Sequence, residues 1–183
     1  MTKVFIGGSR RISRLNTDVR RKIDRIIEKR FPILIGDANG VDKAVQQYLY
    51  TKGYGLVEVF CAGEHCRNNV GSWPVRAIAT DEPKRDYNFY ATKDRIMADE
   101  ASVGLMIWDG KSVGTLLNVL RLIRQQKKVV IYVVPAKEFV DVKSAADWQG
   151  FVARCGVELR RRIEREAVFS QLHKGTPRQA NLL

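Results

Sequence analysis

Two glycine-containing loops, far apart in the chain, each lie between an apolar strand pattern and a helical pattern. One loop is residues 7–10 (GGSR), directly after Val4–Ile6, and the other is residues 109–115 (DGKSVGT), after Val103–Ile107. Glycine allows the backbone to approach a ligand closely, and the amides that open the following helix can hydrogen-bond an anion. If both loops lie at the same end of one parallel sheet, they predict a binding site for phosphate or ribose-phosphate.

The length and composition of the chain favour a single globular domain. Its 183 residues are enough for a sizeable core, and 45% hydrophobic residues argue against disorder. No apolar run is as long as a membrane span, and the first apolar stretch is followed at once by Arg10 and Arg11, unlike a signal peptide. We therefore expect a cytoplasmic protein with no membrane partner.

The three cysteines are too few and too scattered for a disulfide framework. Cys61, His65 and Cys66 lie close together in sequence, but no second ligand pair with zinc spacing accompanies them. We expect no metal and no other cofactor, and a reducing compartment is the simplest interpretation.

The formal net charge of +12 favours anionic partners, either nucleotides or nucleic acid. The excess of basic residues lies partly in residues 10–30 and partly in residues 154–178. A solvated helix face and a basic tail account for most of it. Charge alone therefore does not separate nucleotide binding from nucleic-acid binding.

Strand and helix patterns alternate from the first residues to Pro135. Strands are expected at Lys3–Ile6, Ile33–Ile35, Val57–Phe60, Val103–Ile107 and Val129–Val134. Helices are expected from Asn16 or Thr17 to Ile27, and at Val41–Tyr50, Arg85–Ala98 and Val113–Gln125. Residues 62–84 show no clear period and are interpreted as a loop. The alternation predicts an α/β fold: a Rossmann-like open parallel sheet of about five strands with helices on both faces.

The pattern changes after Pro135. Residues 1–135 are predicted to form the ligand-binding domain, and residues 136–183 a C-terminal helical extension with a basic tail. Within the extension, Glu158–Leu172 is expected to be an arginine-rich helix, and residues 173–183 a mobile tail.

Ligands of open parallel sheets bind beyond the carboxyl ends of the strands, where the strand order reverses. If the first strand lies between the second and the fourth, the two glycine loops face each other there, and residues 36–42 (GDANGVD) form an adjacent wall. The candidate ligand- or phosphate-binding residues are Gly8, Ser9, Arg10, Gly36, Asp37, Gly40, Asp42, Arg95, Asp109, Gly110, Ser112, Gly114 and Thr115.

These residue types suit a nucleotide in different ways. Arg10 offers a planar fork for phosphate, the serine and threonine residues offer hydroxyls, and the aspartates can accept hydrogen bonds from ribose hydroxyls. Structural roles remain open as well, because glycines permit tight turns and Asp42 is placed to complement a helix dipole. Of Lys93 and Arg95, which cannot fully share one helix face, only one is expected to reach the cleft.

Three blocks of the sequence resemble a known superfamily. Residues 8–13 (GSRRIS) are similar to the opening of the Smf/DprA DNA-processing proteins, residues 36–42 (GDANGVD) to their Gly-x-Ala-x-Gly-Ile-Asp turn, and residues 93–98 (KDRIMA) to their Arg-Asn-Arg-Ile-Ile-Ala helix. The chain is identified as a member of the SMF/DprA–LOG (SLOG) superfamily over about Val4–Pro135, and the YspA/YpsA-like members look closest. The resemblance implies a Rossmann-like fold and a nucleotide-type ligand.

The chain departs from the catalytic pattern of one branch of that superfamily. The Lonely Guy phosphoribohydrolases carry an arginine where this sequence has Lys93 and a glutamate where it has Asn118, while Met97, Gly114 and Thr115 are retained. An amide cannot activate water or stabilise a sugar cation as a carboxylate does. The resemblance therefore implies a retained phosphate site without that catalytic pair, and whether the protein is an enzyme is left open, with a non-enzyme favoured.

We predict a homo-oligomeric sensor or carrier of a nucleotide-derived small molecule such as ADP-ribose or a nucleoside phosphate. Two alternatives stay open. One is a hydrolase or transferase of N-glycosidic bonds, which would have to use Asp37, Asp42 or Asp109. The other is a DprA-like protein that binds single-stranded DNA, which the charge favours.

Overall fold

A computed structural model describes residues 1–79 and 87–172 of the chain. These residues form a seven-stranded sheet in the order β4-β3-β2-β1-β5-β6-β7. All neighbouring strands are parallel except β7, which pairs antiparallel with β6. The strands are β1 (Val4–Gly8), β2 (Ile33–Gly36), β3 (Val57–Ala62), β4 (Val75–Ile78), β5 (Val103–Trp108), β6 (Lys128–Val133) and β7 (Glu138–Val142).

The strand order that the two-loop hypothesis assumed is the one observed. β1 lies between β2 and β5, so the chain reverses its direction of winding at β1. Gly8 at the end of β1 pairs with Ile107 near the end of β5. The loops after these two strands therefore leave the same edge of the sheet side by side, as the two-loop hypothesis requires.

Six helices cover the sheet. Three begin at a side-chain cap: Asn16, Ser112 and Ser144 accept from the amides of Val19, Thr115 and Asp147 respectively. The helices are α1 (Thr17–Glu28), α2 (Val41–Thr51), α3 (Tyr87–Glu100), α4 (Val113–Arg124), α5 (Ala145–Ala153) and α6 (Val157–Leu172).

The core lies in two layers, one on each face of the sheet. Along β1, Val4 and Ile6 pack on the face covered by α1 and α2, whereas Phe5 packs on the face covered by α3, α4, α5 and α6. This alternation follows from the period of two in a strand, and the absence of exposed positions from Val4 to Ile6 reflects burial on both faces. The predicted α/β class with helices on both faces is thereby confirmed.

Two strands lie where the sequence analysis placed none. β4 falls inside the predicted loop of residues 62–84, and it is an edge strand whose residues alternate between exposed and half-buried. β7 follows Pro135 and is also an edge strand, with Val142 as its buried residue. Both escape a pattern analysis because an edge strand with a solvent-facing side lacks the continuous apolar run of a central strand.

The segment after Pro135 packs into the same core as the sheet. Trp148 and Phe151 of α5 and Ile163 and Ala167 of α6 are buried against residues of α4 and β6. The division into residues 1–135 and 136–183 stays a prediction. The predicted tail, residues 173–183, and the predicted start of the third helix at Arg85 lie outside the described residues. Within residues 1–79 and 87–172, no helix combines the length and apolar character that a membrane crossing requires.

Candidate functional site

The two glycine loops are joined by the side chain of Ser9. Its hydroxyl donates a hydrogen bond to Asp109 Oδ1 at 3.0 Å, accepts one from the Asp109 amide at 3.1 Å, and lies 3.3 Å from Thr115 Oγ1. The Ser9 amide also donates to the Ile107 carbonyl at 3.0 Å. Because Ser9 is fully buried, these contacts fix the spacing between the first loop and the start of α4.

Asp109 organises the second loop from within. Its Oδ1 accepts hydrogen bonds from the amides of Lys111 at 3.0 Å and Ser112 at 2.8 Å, as in an Asx turn. Partial burial would raise the pKa of Asp109, but these hydrogen bonds outweigh it and hold the pKa below its usual value. In the first turn of α4, the amides of Val113 and Gly114 have no partner within the helix, so they are placed to meet an anion.

A cavity of about 770 Å³ lies between the two loops, α3 and α6. Seven of the predicted site residues line it: Gly8, Arg10, Asp42, Asp109, Ser112, Gly114 and Thr115. Lys93 and Asn118, the positions at which the sequence departs from the Lonely Guy pattern, also line it. The cavity lining thus includes residues from both glycine loops and, from the third block that carries the resemblance, Lys93, Asp94 and Met97.

Six predicted site residues lie outside the cavity lining: Ser9, Gly36, Asp37, Gly40, Arg95 and Gly110. Ser9 acts between the loops, and Gly110 adopts a positive φ of 81° in the turn. A Cβ on Gly40, whose φ is 86°, would lie 2.3 Å from the carbonyl oxygen of Arg10. Gly40 therefore allows α2 to begin directly against the backbone that carries Arg10, and its contribution to the site is to position that arginine.

Gly36 makes room for a buried pair of opposite charges. A Cβ on Gly36 would lie 2.4 Å from Asp42 Oδ2 and 2.5 Å from Lys93 Nζ. Asp42 Oδ2 accepts from the Ala38 amide at 3.1 Å, which closes the turn before α2. Any side chain larger than that of glycine at this position would have to displace the carboxylate or the ammonium group.

Asp37 anchors a neighbouring loop and does not reach the cavity. Its carboxylate accepts from Arg67 at three atoms: the amide at 3.0 Å, Nε at 3.0 Å and Nη2 at 2.6 Å. Burial would raise the pKa of Asp37, but the hydrogen bonds and charge of Arg67, with the charge of Lys93, outweigh it and lower the pKa. The predicted ribose-binding role of Asp37 has no support in this geometry, because its oxygens face Arg67.

A disulfide joins Cys61 and Cys66, a pair that the sequence analysis did not predict. Cys61 is a buried residue near the end of β3, and Cys66 directly precedes Arg67. The two sulfur atoms and an oxygen of Asp37 lie within 4.8 Å of one another. The pairing was missed because spacing alone does not show that the chain turns back between these two residues.

The floor of the cavity carries a buried cluster of charges. Lys93 Nζ lies 2.8 Å from Asp94 Oδ1 and 4.0 Å from Asp37 Oδ1, and Asn118 Nδ2 donates to Asp94 Oδ2 at 3.1 Å. Burial would lower the pKa of Lys93, but the attraction of Asp94 and Asp42 outweighs it and raises the pKa. Lys93 therefore stays an ammonium ion at neutral pH.

The two aspartates beside Lys93 behave differently. Burial would raise the pKa of Asp94, yet the charges of Lys93 and Arg121 outweigh it, so the pKa is lowered. Burial dominates at Asp42 and raises its pKa to about 6, although Lys93 opposes the shift. The floor thus presents one firmly ionised carboxylate and one that changes its charge close to neutral pH.

Tyr90 lines the cavity and lies close to two guanidinium groups. The Cζ of Arg10 lies 5.2 Å from the centre of the Tyr90 ring, and the Cζ of Arg67 lies 4.2 Å from it. Both distances are within the range of cation–π attraction. The ring thereby orients Arg10, the predicted phosphate ligand, at the edge of the cleft.

Several lining residues were not predicted. Lys111 and Arg11 directly adjoin predicted site residues, so the sequence of the two loops already indicated their position. Tyr90 and Asp94 lie near Lys93 on α3. They could have been predicted if α3 had been expected to face the cleft. The C-terminal helix gave no such signal. Beside Lys93 and Asn118, the polar lining residues that were not predicted are Arg11, Tyr90, Asp94, Lys111, Arg162 and Glu166.

A scan of protein-family models and a comparison with curated protein sequences give no match. Two solved structures are similar to the chain. One is DNA processing protein A (DprA) from Streptococcus pneumoniae, with 16% identity and a TM-score of 0.51 over 71% of this chain and 50% of that one. The other, a structure on single-stranded DNA binding by DprA from Helicobacter pylori, has 13% identity and a TM-score of 0.55 over 92% and 81%.

The fold resembles that of these two DprA structures. At identities of 13% and 16% the likeness is one of fold alone, and the chain spans half the length of the S. pneumoniae DprA. The assignments to the superfamily and to its YspA/YpsA-like members stay predictions. The DprA-like sheet places the candidate cleft at its switch point, beyond the ends of β1 and β5.

Proposed function

We propose that the cleft binds a nucleotide-derived ligand whose phosphate lies between the two glycine loops. The observation that carries this proposal is the junction through Ser9, which holds Gly8 and the start of α4 at one end of the sheet. Helix N-termini beyond the ends of parallel strands are favourable anion sites. A cavity of about 770 Å³ is within the range of about 300–1,000 Å³ typical of small-molecule sites.

The charges in the cleft suit a ligand with both phosphate and hydroxyl groups. Arg10, Arg11 and Lys111 supply positive charge on the loops, whereas Asp42 and Asp94 supply carboxylates on the floor. Cations favour phosphate, and carboxylates accept hydrogen bonds from sugar hydroxyls. A ribonucleotide or ADP-ribose-like molecule has phosphate groups for the cations and ribose hydroxyls for the carboxylates.

We propose a sensor or carrier role without turnover. The carboxylate of Asp94 is engaged by Lys93 and Asn118, and that of Asp42 by the Ala38 amide. Carboxylates held by internal partners are poorly placed to attack a sugar or to activate water. The cleft, in this proposal, recognises its ligand and releases it unchanged.

A second candidate is binding of single-stranded DNA. It is supported by the fold shared with DprA, by the DNA-binding mode described for the H. pylori protein, and by the net charge of +12. Tyr90 in the cavity lining could stack a base, as aromatic residues do in single-strand binding sites. In this case the cleft would hold one nucleotide of a longer strand.

Calorimetric titration separates the two candidates. The protein is titrated with ADP-ribose, AMP and an oligothymidylate at two salt concentrations. We expect saturation by one small nucleotide per chain, and an Arg10→Gln variant should bind about tenfold or more weakly because a charge-assisted contact is lost. The exposed Arg14→Gln is the control with the same change in charge.

The DNA-binding candidate predicts a different result. The oligothymidylate alone would bind, and its affinity would fall steeply as salt rises, because counterions are released from the strand. Absence of binding by all three probes would overturn the proposal of a nucleotide site.

A further inference from the structure

The C-terminal helix α6 is held in a fixed rotation against α4. Ile163 and Ala167, one turn apart, are 3% and 7% exposed and belong to the core, and Leu159 packs against the same cluster one turn earlier. Residues spaced by four lie on one face of a helix. The orientation of every other side chain of the described part of α6 follows from this packed face.

The stripe next to that packed face meets the cleft. Arg162 and Glu166, each one residue before a core residue, line the same cavity as Arg10 and Ser112. Arg162 is exposed and Glu166 is half-buried. Arg161 is exposed as well, but it lies on the side of α6 away from the packed stripe and does not line the cavity. The cavity therefore has one wall that belongs to neither glycine loop and that carries one cation and one carboxylate.

We propose that Arg162 and Glu166 form a second subsite, which recognises a ribose-phosphate unit distal to the phosphate held by the glycine loops. The proposal rests on the proposed function and names the class of ligand: a nucleoside diphosphate carrying a second sugar, as in ADP-ribose. The cavity volume of about 770 Å³, in the upper part of the usual range for ligand sites, fits such an extended molecule.

The chemistry of the pair selects this class. The Arg162 guanidinium matches a phosphate with two parallel hydrogen bonds, and the Glu166 carboxylate can accept from both hydroxyls of a ribose diol. Side chains four residues apart on a helix begin about 5–6 Å apart, a spacing comparable to that between the phosphate and the diol of a ribose phosphate. A carboxylate beside the arginine disfavours a purely anionic ligand and a DNA backbone, which lacks the diol.

The subsite is tested by comparing a long and a short ligand on the wild-type protein and on its variants. Affinities for ADP-ribose and AMP are measured by calorimetry with the full chain and with Arg162→Gln and Glu166→Gln. We expect ADP-ribose to bind the wild-type protein about tenfold or more tightly than AMP, and each substitution to remove most of that difference while changing AMP affinity less than about twofold. Arg161→Gln and the exposed Glu164→Gln carry the same charge changes off the cleft and should leave both affinities unchanged.

Two results would overturn the subsite, and they are distinguishable. If AMP and ADP-ribose bind equally well, or if Arg162→Gln and Glu166→Gln match their controls, the second subsite is absent although the nucleotide site stands. If neither ligand binds the wild-type protein, the proposed function fails and the subsite with it. Unchanged thermal midpoints of the four variants establish that affinity, and not folding, is being compared.

Discussion

Ser9 Oγ lies 3.0 Å from Asp109 Oδ1, and the Asp109 amide donates back to the same hydroxyl at 3.1 Å. This reciprocal pair connects the end of β1 to the end of β5, two strands that are adjacent in the sheet and distant in sequence. Ser9 is fully buried, and its contact with Asp109 aligns the two loops that line the cleft. The spacing of the two loops depends on this contact more than on any single ligand-facing side chain.

Ser9→Ala tests that contact. The substitution removes the hydroxyl that donates to Asp109 Oδ1 and accepts from the Asp109 amide, while the amides of Lys111 and Ser112 still donate to the same carboxylate oxygen. We expect the free energy of unfolding to fall by about 1–3 kcal/mol, because the Asp109 amide loses its acceptor. Nucleotide affinity should fall as well, because the loops lose their fixed spacing. Urea denaturation measures the first effect, and Ser13→Ala, at an exposed position of the same loop, is the control. Equal stability of the two variants would contradict the role assigned to Ser9.

Gly36→Ala tests the buried charge cluster. The new Cβ would lie 2.4 Å from Asp42 Oδ2 and 2.5 Å from Lys93 Nζ, closer than van der Waals contact allows. We expect a loss of about 1–3 kcal/mol of stability, because overpacking displaces a fully buried pair. Gly55→Ala, which has open space around its Cβ, should change stability far less. A Gly36→Ala variant as stable as Gly55→Ala would show that the pair is not held as described.

These same residues show which features of the site could be predicted from the sequence. The meeting of the two loops was predictable only under the assumption that the first strand lies between the second and the fourth predicted strands, which is the order observed. The role of Ser9 was not, because its burial depends on the long-range pairing of β1 with β5. Asp109 carried a local signal, since an aspartate ahead of Lys111 and Ser112 can form an Asx turn as readily as it can bind a ribose.

The contributions of α3 and α6 were harder to predict. Lys93 was recognised as a departure from a family pattern, but its burial among aspartates depends on α3 packing over β2 and β3. Arg162 lies on a helix whose many charged residues are also typical of a solvent-exposed helix without a binding role. Its place in the cavity lining depends on the rotation set by Ile163, and only tertiary packing reveals which of the exposed arginines of α6 borders the cleft.

The raised pKa of Asp42 predicts a pH dependence of stability. Burial raises its pKa from 3.8 to about 6, so between these values the folded protein holds a proton that the unfolded chain has released. The contribution of Asp42 to stability therefore falls as pH rises through that window. Relative to wild type, Asp42→Asn should gain up to about 3 kcal/mol between pH 4 and pH 7, because the amide has no charge to bury.

Denaturation at several pH values checks this prediction. Asp37 and Asp94, whose pKa values are lowered, add the opposite slope at more acidic pH. They are present in both proteins, so their contribution largely cancels in the difference. A difference between Asp42→Asn and wild type that does not vary with pH would mean that folding does not raise the pKa of Asp42.

The protein should not release free base from nucleoside monophosphates. Asn118 cannot supply the charge that a developing sugar cation needs, and Asp94 is held by Lys93 and Asn118. Chromatography of AMP after prolonged incubation with the protein is expected to show no adenine above the enzyme-free control. Release of adenine that disappears in Asp94→Asn or Asp42→Asn would assign catalysis to the floor of the cleft and contradict the carrier proposal.

The most direct test of the nucleotide site is a titration with ADP-ribose followed through the backbone amide resonances of the isotopically labelled protein. We predict saturable shifts concentrated in two separate stretches of the chain, residues 7–11 and 109–115, with smaller shifts on α3 and around Arg162. Ser9→Ala should weaken the response of both stretches together, because one contact aligns them. Saturable shifts confined to residues outside both loops, or shifts in one loop without the other, would contradict a phosphate site built from the pair.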